Sequence, residues 1–319
     1  MRDTGSRRAA PGPVLSGLVA PMLARCTFPP RGAPLACAVS GGADSLAMLV
    51  LAVSAGCRVT AYHVDHGLRS GSADEADVVA EAAERLRADF VALSVECAPG
   101  PNLEARARDA RFAALPRGAA TGHTADDQAE TVLVNLLRGA GPTGLAGMRP
   151  GTRHPILRLR RRETRHLVES VGLAVVEDPS NGDPLHLRNR IRHELLPLAD
   201  EIARRDLVPV VTRQATLLAD DVDLLEELSS ALDPTDARAL ASAPVPLARR
   251  AVRRWVRDVS GTGYPPDAAA VERVLAVARG EALACEVTGG LRVRRSRGVL
   301  SAEPGFPPDG EVGVPGTHE

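Results

Sequence analysis

The chain alternates short apolar runs with longer helical patterns between residues 34 and 138, and this alternation predicts βαβ units. The apolar runs that predict strands are residues 35–39, 58–64, 90–96 and a weaker run at 119–121. Residues 45–55 and 73–88 have helical spacing, the first without a polar face and the second with one apolar stripe. Strands that alternate with helices are typical of a parallel sheet. The sequence therefore predicts an α/β fold in which helices cover both faces of a parallel sheet.

The pattern changes after a cluster of glycine and proline at residues 139–147, which predicts a loop. Helical spacing dominates beyond it, at residues 208–232, 246–259 and 266–280, and residues 286–300 alternate like a hairpin around Gly289 and Gly290. The charge also changes sign, from an arginine-rich segment at 149–192 to an acidic one at 220–236. We predict a flexible N-terminal tail at 1–33, an α/β domain at 34–205 and a smaller, mainly helical C-terminal domain at 206–319.

Composition excludes several classes of protein. Of the 319 residues, 44% are hydrophobic and 25% charged, which is ordinary for a globular chain and excludes a disordered or collagen-like one. Because the apolar runs are too short to span a bilayer, the sequence predicts no membrane segment. The five cysteines are odd in number and widely spaced, which argues against a disulfide framework or a zinc ribbon and favours the cytoplasm.

The chain has no lysine, so all 39 basic residues are arginines. A phosphate loop of the G-x-x-x-x-G-K-[ST] type needs a lysine on the phosphates, and a Schiff-base enzyme needs an amine side chain. Both chemistries are therefore excluded.

The sharpest local motif lies between the first predicted strand and the first predicted helix: Ser40, Gly41, Gly42, Ala43, Asp44 and Ser45. A strand–turn–helix junction directs backbone N–H groups and the positive end of a helix at one point. Glycines let a ligand approach the backbone, and serine hydroxyls add donors. These residues suit a phosphate, and the alternative is a tight turn with a helix cap.

This hexapeptide resembles the pyrophosphate-binding loop (PP-loop) of the N-type ATP pyrophosphatases, which cleave ATP to AMP and pyrophosphate while adenylating a substrate oxygen. The resemblance implies a Rossmann-like sheet, with the loop binding the β- and γ-phosphates of ATP. It also implies magnesium, with Asp44 as a ligand, because charge on the departing pyrophosphate must be neutralised.

Two further segments narrow the resemblance. His63-Val-Asp-His-Gly-Leu-Arg69 is similar to the strand end that lines the nucleotide pocket in the tRNA(Ile)-lysidine synthase family, which places His63 at the nucleotide. A metal site on His63, Asp65 and His66 is the alternative. Residues 102–112 resemble the family helix that contributes an arginine to the ATP site, here Arg108. An ordinary surface salt bridge between Glu104 and Arg108 is the alternative there.

Residues 122–131, read as G-H-T-A-D-D-Q-A-E-T, resemble the family's G-H-x-x-D-D-Q-x-E-T segment. Asp127 and Glu130 are three residues apart on one helix face, and the family uses this segment to hold substrate lysine. The resemblance therefore implies that both carboxylates bind the ammonium group. A structural role competes, because Thr124 can cap the helix with Asp126 and Asp127 in its first turn.

The arginine-rich segment resembles the family's R-P-L-L…E-D-x-S-N…R-N-R-I-R…L-P block, although His154 stands where the family often has arginine. Clustered guanidiniums suit an RNA backbone, so Arg188, Arg190 and Arg192 are candidates for binding phosphate or tRNA. A solvated basic face is the alternative. Weaker arginine clusters at 249–257 and 292–297 could contact a tRNA stem.

The reaction implied is ATP-dependent ligation of free lysine to C2 of the wobble cytidine of the isoleucine tRNA with a CAU anticodon, through an adenylated cytidine. Asp44, Arg108, Asp127 and Glu130 are the catalytic candidates. Rival hypotheses are a tRNA-thiolating enzyme of the same superfamily, which the scattered cysteines disfavour, and a nucleotide- or RNA-binding module without turnover. The oligomeric state is left open, a homodimer being one alternative.

Overall fold

The computed structural model describes residues 13–65, 72–95, 106, 110, 112–176, 186–261, 264–287 and 289–304. The chain forms two units, residues 1–219 and 220–319. This division lies within the helix Val208–Ser230, rather than near Arg205 as predicted. The division coincides with the start of the acidic segment at residue 220, inside a helix that continues without a break.

The first unit contains a four-stranded parallel sheet in the order β3-β2-β1-β4. In its centre, Leu35 of β1 lies opposite Val59 of β2, and Ala61 of β2 lies opposite Phe90 of β3. All four predicted strands are confirmed, with bounds that move by one or two residues: β1 Pro34–Ala38, β2 Arg58–Asp65, β3 Asp89–Ser94 and β4 Ala120–Thr121.

Both faces of the sheet are covered, as predicted. Successive side chains of a strand point to opposite faces, and in β1 Leu35 and Cys37 are buried in the core formed with the apolar helix α2, Ala43–Ser54. On the other face, Ala36 and Ala38 pack in a cluster with Leu115. A third segment, helix α3 at Ser72–Leu86, packs on β2 and β3.

The carboxyl ends of the parallel strands meet at one edge of the sheet. The chain leaves β1 into the loop that precedes α2, and it leaves β4 at Gly122. The strand order reverses at β1, because the chain adds β2 and β3 on one side of β1 and then β4 on the other side. Ligands of open α/β sheets bind at such a switch point, so the fold predicts a ligand site at the loop after β1.

The first unit contains further helices besides α2 and α3. They are α1 Pro13–Leu23, α4 Ala125–Leu137, α5 Pro142–Leu145, α6 Arg161–Val171, α7 Leu187–Arg190 with a π-helical turn Ile191–Leu195, and α8 Leu196–Ala203. Helix α9, Val208–Ser230, continues into the second unit.

Three of these helices differ from the sequence-based expectation. Helix α1 buries Val19 and Met22 in the main core, and Cys26 and Phe28 pack against the same core, so this part of the chain is anchored rather than forming a tail. Residues 1–12 lie outside the described residues. The short helix α5 interrupts the predicted glycine-rich loop. Helix α6 lies in the segment that the sequence marks only as basic, because its buried apolar positions, Leu167 and Val168, are few among charged neighbours.

Among its described residues, the second unit has the end of α9, three further helices and a small antiparallel sheet. The helices are α10 Ala237–Ser242, α11 Val245–Ser260 and α12 Ala268–Arg279. The strands are β5 Ala284–Val287, β6 Leu291–Ser296 and β7 Val299–Pro304, in the order β5-β6-β7. The predicted hairpin around Gly289 and Gly290 thus gains a third strand through a turn at Arg297 and Gly298, both with positive φ. Within the described parts of both units, every helix is too short or too polar to cross a membrane.

Candidate active site

The loop between β1 and α2 is shaped by its first glycine. Gly41 has a φ of +82°, a left-handed conformation that side chains other than glycine rarely adopt. A Cβ atom there would also lie 2.7 Å from Cγ2 of Val176, whose N–H donates to the Gly41 carbonyl at 3.0 Å. Both the backbone conformation and the close approach require glycine at this position.

Two serines fix the other end of the loop. Ser45 Oγ donates to the Gly42 carbonyl at 2.8 Å and accepts from the Ser40 N–H at 3.2 Å. Gly42 precedes the first turn of α2, and within the described residues no side chain caps this end of the helix. An uncapped helix start presents N–H donors and a partial positive charge, which suit an anion such as phosphate.

Strand β4 approaches the loop so closely that only hydrogen fits at Gly122. A Cβ atom at this position would lie 2.8 Å from both Cα and N of Ser45, which are backbone atoms. The end of β4 therefore rests directly on the start of α2, and it holds the loop against the rest of the site.

Asp44, in the first turn of α2, connects the loop to helix α6. Thr164 Oγ1 donates a short hydrogen bond to Asp44 Oδ1, and Arg161 Nε lies 3.5 Å from Asp44 Oδ2. Burial raises the pKa of Asp44 to about 6, and the hydrogen bond from Thr164 and the Arg161 charge reduce this shift. The Asp44 side chain is a quarter exposed, so water or a ligand can reach part of it.

Asp127 carries out the structural role that competed with the lysine hypothesis. Thr124 is the N-cap of α4, and its N–H and Oγ1 donate to Asp127 Oδ2 at 2.9 and 2.7 Å. The other oxygen, Oδ1, accepts from Arg161 Nη2 at 3.0 Å. Burial alone would raise the pKa of Asp127, but the Arg161 charge and the Thr124 hydrogen bonds lower it below its usual value.

Glu130 is completely buried and lies among three arginines. Its Oε1 accepts from Arg161 Nη1 at 3.1 Å and from Arg192 Nε at 2.7 Å. Arg188 Nε lies 3.1 Å from Oε2 without hydrogen-bond alignment, while its Nη2 donates to Thr131 Oγ1 at 2.6 Å. A buried carboxylate needs such pairing because burial without it would be costly.

Asp126 ties the start of α6 to α4. Arg160 donates to both oxygens of Asp126, at 3.1 and 3.0 Å, and the Arg161 N–H donates to Oδ2 at 2.8 Å. Arg160 also forms an ion pair with Asp206. Burial opposes ionisation of Asp126, but these hydrogen bonds outweigh it and lower its pKa.

The structure thus brings together most of the site residues that the sequence suggested. Asp44, Asp127, Glu130, Arg188 and Arg192 meet in one network, which we call the arginine–carboxylate cluster together with Asp126, Arg160 and Arg161.

Two candidates have other surroundings, and a third lies outside the described residues. Arg190 is exposed and pairs with Glu194 at 3.0 Å. His63 is buried, and its Nδ1 lies 3.0 Å from the carbonyl of Val39, directly before the loop. Arg108 lies outside the described residues, as does His66, and the described residues contain no group of three or more potential metal ligands.

Sequence reasoning missed Arg160, Arg161 and Thr164. Arg161 and Thr164 are three residues apart on α6 and both contact Asp44, a spacing that a helix prediction for this segment would have exposed. His154, where an arginine was expected, bonds through Nδ1 with Thr121 Oγ1 at 2.9 Å. Burial and the neighbouring Arg153 lower the pKa of His154.

Two family models match this chain. A family model described as a PP-loop domain matches residues 21–199, and a TilS substrate binding domain model matches residues 236–301. The tRNA(Ile)-lysidine synthase of Nocardia farcinica is 42% identical over 256 residues, 75% of this chain and 80% of that protein. That of Salinispora tropica is 39% identical over 314 residues, 86% and 92% of the two chains.

Among solved structures, the U34-tRNA thiolase NcsA from Methanococcus maripaludis with its [4Fe-4S] cluster is similar in fold. The TM-score is 0.51 and the identity 18%, and the match covers 65% of this chain and 81% of that one. At this identity the similarity concerns the fold alone.

Proposed function

The chain belongs to the tRNA(Ile)-lysidine synthase family, and from this premise we propose how its described residues perform an ATP-dependent ligation on tRNA. The reaction joins free lysine to C2 of the wobble cytidine of the isoleucine tRNA with a CAU anticodon, through an adenylated cytidine. One observation carries the proposal: Arg161 contacts both Asp44 at the loop and Asp127 and Glu130 on α4, so the nucleotide and amine sites adjoin.

ATP lies with its β- and γ-phosphates at residues 40–45 in this proposal. The uncapped start of α2, the approach allowed by Gly41 and Gly42, and the Ser40 and Ser45 hydroxyls support this placement. His63 lies where β2 ends, beside Val39, and so borders the nucleotide. We assign Arg108 to the ATP site from the family resemblance alone.

Magnesium would be held by Asp44. This ion is commonly bound by one or two carboxylates together with substrate phosphates, rather than by an all-protein cage. A single partly exposed carboxylate beside the loop fits that requirement. When bound, the ion would neutralise charge on the departing pyrophosphate.

The lysine ammonium group would lie at Asp127 and Glu130. The low pKa of Asp127 supports this assignment, because it keeps the carboxylate ionised at any pH at which the enzyme works. The Thr124 hydrogen bonds fix the orientation of Asp127, and Arg188 and Arg192 keep Glu130 in place. Holding the amine beside the activated base replaces an encounter in solution by a positioned one.

The tRNA would contact both units. In the first, Arg190 has the exposed guanidinium that an RNA phosphate can reach, whereas Arg188 and Arg192 are engaged by Glu130. The second unit contains the segment that matches the TilS substrate binding domain model, and its helix α11 carries an arginine-rich face. We place the reaction in the cytoplasm, where tRNA, ATP and free lysine occur together, in agreement with free thiols at Cys26, Cys37, Cys57 and Cys285.

The direct test is transfer of labelled lysine, with ATP and magnesium, onto a transcript of the CAU-anticodon isoleucine tRNA, with an elongator methionine tRNA as control. Label on the first tRNA alone is expected. Label on neither, with folded protein that binds ATP, would contradict the assignment.

Asp127→Asn preserves an acceptor for Thr124, so it should weaken lysine use while largely sparing ATP binding. Unchanged lysine dependence in this variant would remove Asp127 from the site.

A further inference from the structure

Arg161 has an unusual position in the arginine–carboxylate cluster. Its guanidinium is shared by carboxylates from two different helices, Asp44 on α2 and Asp127 and Glu130 on α4. The nitrogen–oxygen distances are 3.5 Å to Asp44, 3.0 Å to Asp127 and 3.1 Å to Glu130. One cationic group therefore spans the proposed phosphate and ammonium sites.

The oxygen that Arg161 occupies on Asp127 is the one that an incoming ammonium group needs. Asp127 Oδ2 already accepts two hydrogen bonds from Thr124, so Oδ1 is the oxygen that faces the cluster. Arg161 also donates to Glu130 Oε1 through two nitrogens. A bound lysine and Arg161 would therefore compete for the same carboxylates.

The backbone of Arg161 is held while its side chain has a second set of possible partners. Its N–H donates to Asp126 Oδ2 at 2.8 Å, which fixes the start of α6. The uncapped start of α2, on which Asp44 lies, is the place proposed for polyphosphate. Guanidinium binds phosphate oxygens in a strong bidentate geometry. Glu130 would keep Arg188 and Arg192 as partners if Arg161 moved.

We propose that Arg161 is a positioning residue that couples the two substrates: bound polyphosphate draws its guanidinium towards the loop, which frees Asp127 Oδ1 and removes one of the three cations around Glu130, so that the lysine ammonium group can bind. This inference rests on the lysine site proposed above. Lysine then binds more tightly after the nucleotide, and by linkage the nucleotide binds more tightly when lysine is present. A purely structural salt bridge would leave the two affinities independent.

The test is equilibrium dialysis of labelled lysine against the full-length protein, with magnesium, with and without α,β-methylene-ATP, which cannot be cleaved at the reacting bond. For the unmodified chain we expect the analogue to lower the lysine dissociation constant about tenfold. In Arg161→Met the two dissociation constants should be equal, because no side-chain cation remains to be moved. Arg161→Gln should behave the same way and serves if the methionine variant does not fold.

The matched control is Arg165→Met, an exposed arginine on the same helix, which should keep the tenfold effect. Equal lysine affinities in the unmodified chain, or a tenfold effect that survives in Arg161→Met or Arg161→Gln, would overturn the coupling. Failure of the lysine site is visible separately, because Asp127→Asn would then leave the lysine dissociation constant unchanged. That outcome overturns the coupling as well. If Asp127→Asn weakens lysine binding but the ATP analogue does not change the lysine dissociation constant of the unmodified chain, only the coupling is overturned.

Discussion

The loop after β1 and the arginine–carboxylate cluster lie side by side, but the loop would bind charge through its backbone and the cluster through its side chains. The loop is built from backbone: Gly41 in a left-handed conformation, Gly122 in close approach, and a helix start without a capping side chain. The cluster is built from side chains, with Asp126, Asp127 and Glu130 each paired to arginines. A backbone site depends on local geometry, whereas a side-chain cluster depends on every partner being present.

The largest effect should come from removing the central carboxylate of the cluster. Glu130→Ala leaves the guanidiniums of Arg161, Arg188 and Arg192, which are a quarter to a third exposed, without the buried carboxylate that they share. Loss of one partner from a fully buried ion pair costs about 3–5 kcal/mol, and because water partly solvates these arginines we expect a loss of about 3 kcal/mol, at the lower end of that range. Urea denaturation, monitored by circular dichroism, measures the free energy of unfolding.

The matched control is Glu194→Ala, which removes a carboxylate that pairs with Arg190 at the surface. Because water solvates both groups there, we expect an unchanged denaturation midpoint. A similar loss in both variants would mean that burial does not distinguish the cluster from a surface pair.

The next largest effect concerns the loop after β1, where adding one methyl group should be enough to displace the loop. Gly122→Ala places a Cβ atom 2.8 Å from the backbone of Ser45, so β4 and the start of α2 must separate. Overpacking of this kind costs about 1–3 kcal/mol. We expect a loss of ATP-dependent pyrophosphate release that exceeds the loss of stability, since the loop itself shifts.

Gly151→Ala is the comparison for that variant, because a Cβ atom at Gly151 meets nothing within 4 Å. Pyrophosphate release and the thermal midpoint should both stay unchanged there. Normal pyrophosphate release in Gly122→Ala would show that the loop tolerates the shift and that its shape does not limit catalysis.

The same contrast explains what could be predicted from the sequence. The strands and the loop were predicted because each is encoded within a few adjacent residues, and Gly41 and Ser45 belong to one short motif. The pairing within the arginine–carboxylate cluster was not predicted, because Arg161 and Arg192 lie far along the chain from Glu130 and only the fold brings them together. Two carboxylates on one helix face predicted an ammonium site, but sequence could not show that arginines of the same chain already occupy it.

Asp44 lies where the two regions meet, and its pKa of about 6 gives a smaller effect with a defined sign. A folded-state pKa above the usual value near 4 means that the folded chain holds a proton that the unfolded chain has lost. The contribution of Asp44 to the free energy of unfolding should therefore fall as pH rises from about 4 to about 6, and it is read as the difference between the unmodified chain and Asp44→Asn. Pyrophosphate release, which needs the ionised carboxylate, should rise over the upper part of the same range.

Asp44→Asn separates these two consequences. Since the amide has no charge to desolvate, the variant should be at least as stable as the unmodified chain at pH 7, while pyrophosphate release is largely lost. Denaturation curves and release rates at pH 5, 6, 7 and 8 provide both measurements. Strong destabilisation of Asp44→Asn at pH 7 would show that the Thr164 and Arg161 contacts outweigh the cost of burial.

The smallest effect is expected at the outer end of the network, where water can replace a lost partner. Arg25, which follows α1, donates to both carboxylate oxygens of Glu163 on α6, and the arginine side chain is 41% exposed. Glu163 also accepts from the Arg160 N–H at 2.8 Å, so Arg25→Gln leaves it with a partner. We expect a loss below about 1 kcal/mol in urea denaturation that shrinks further in 0.5 M salt. A loss as large as that of Glu130→Ala would mean that α1 is held to the rest of the first unit chiefly by this ion pair, and not by the buried Val19 and Met22.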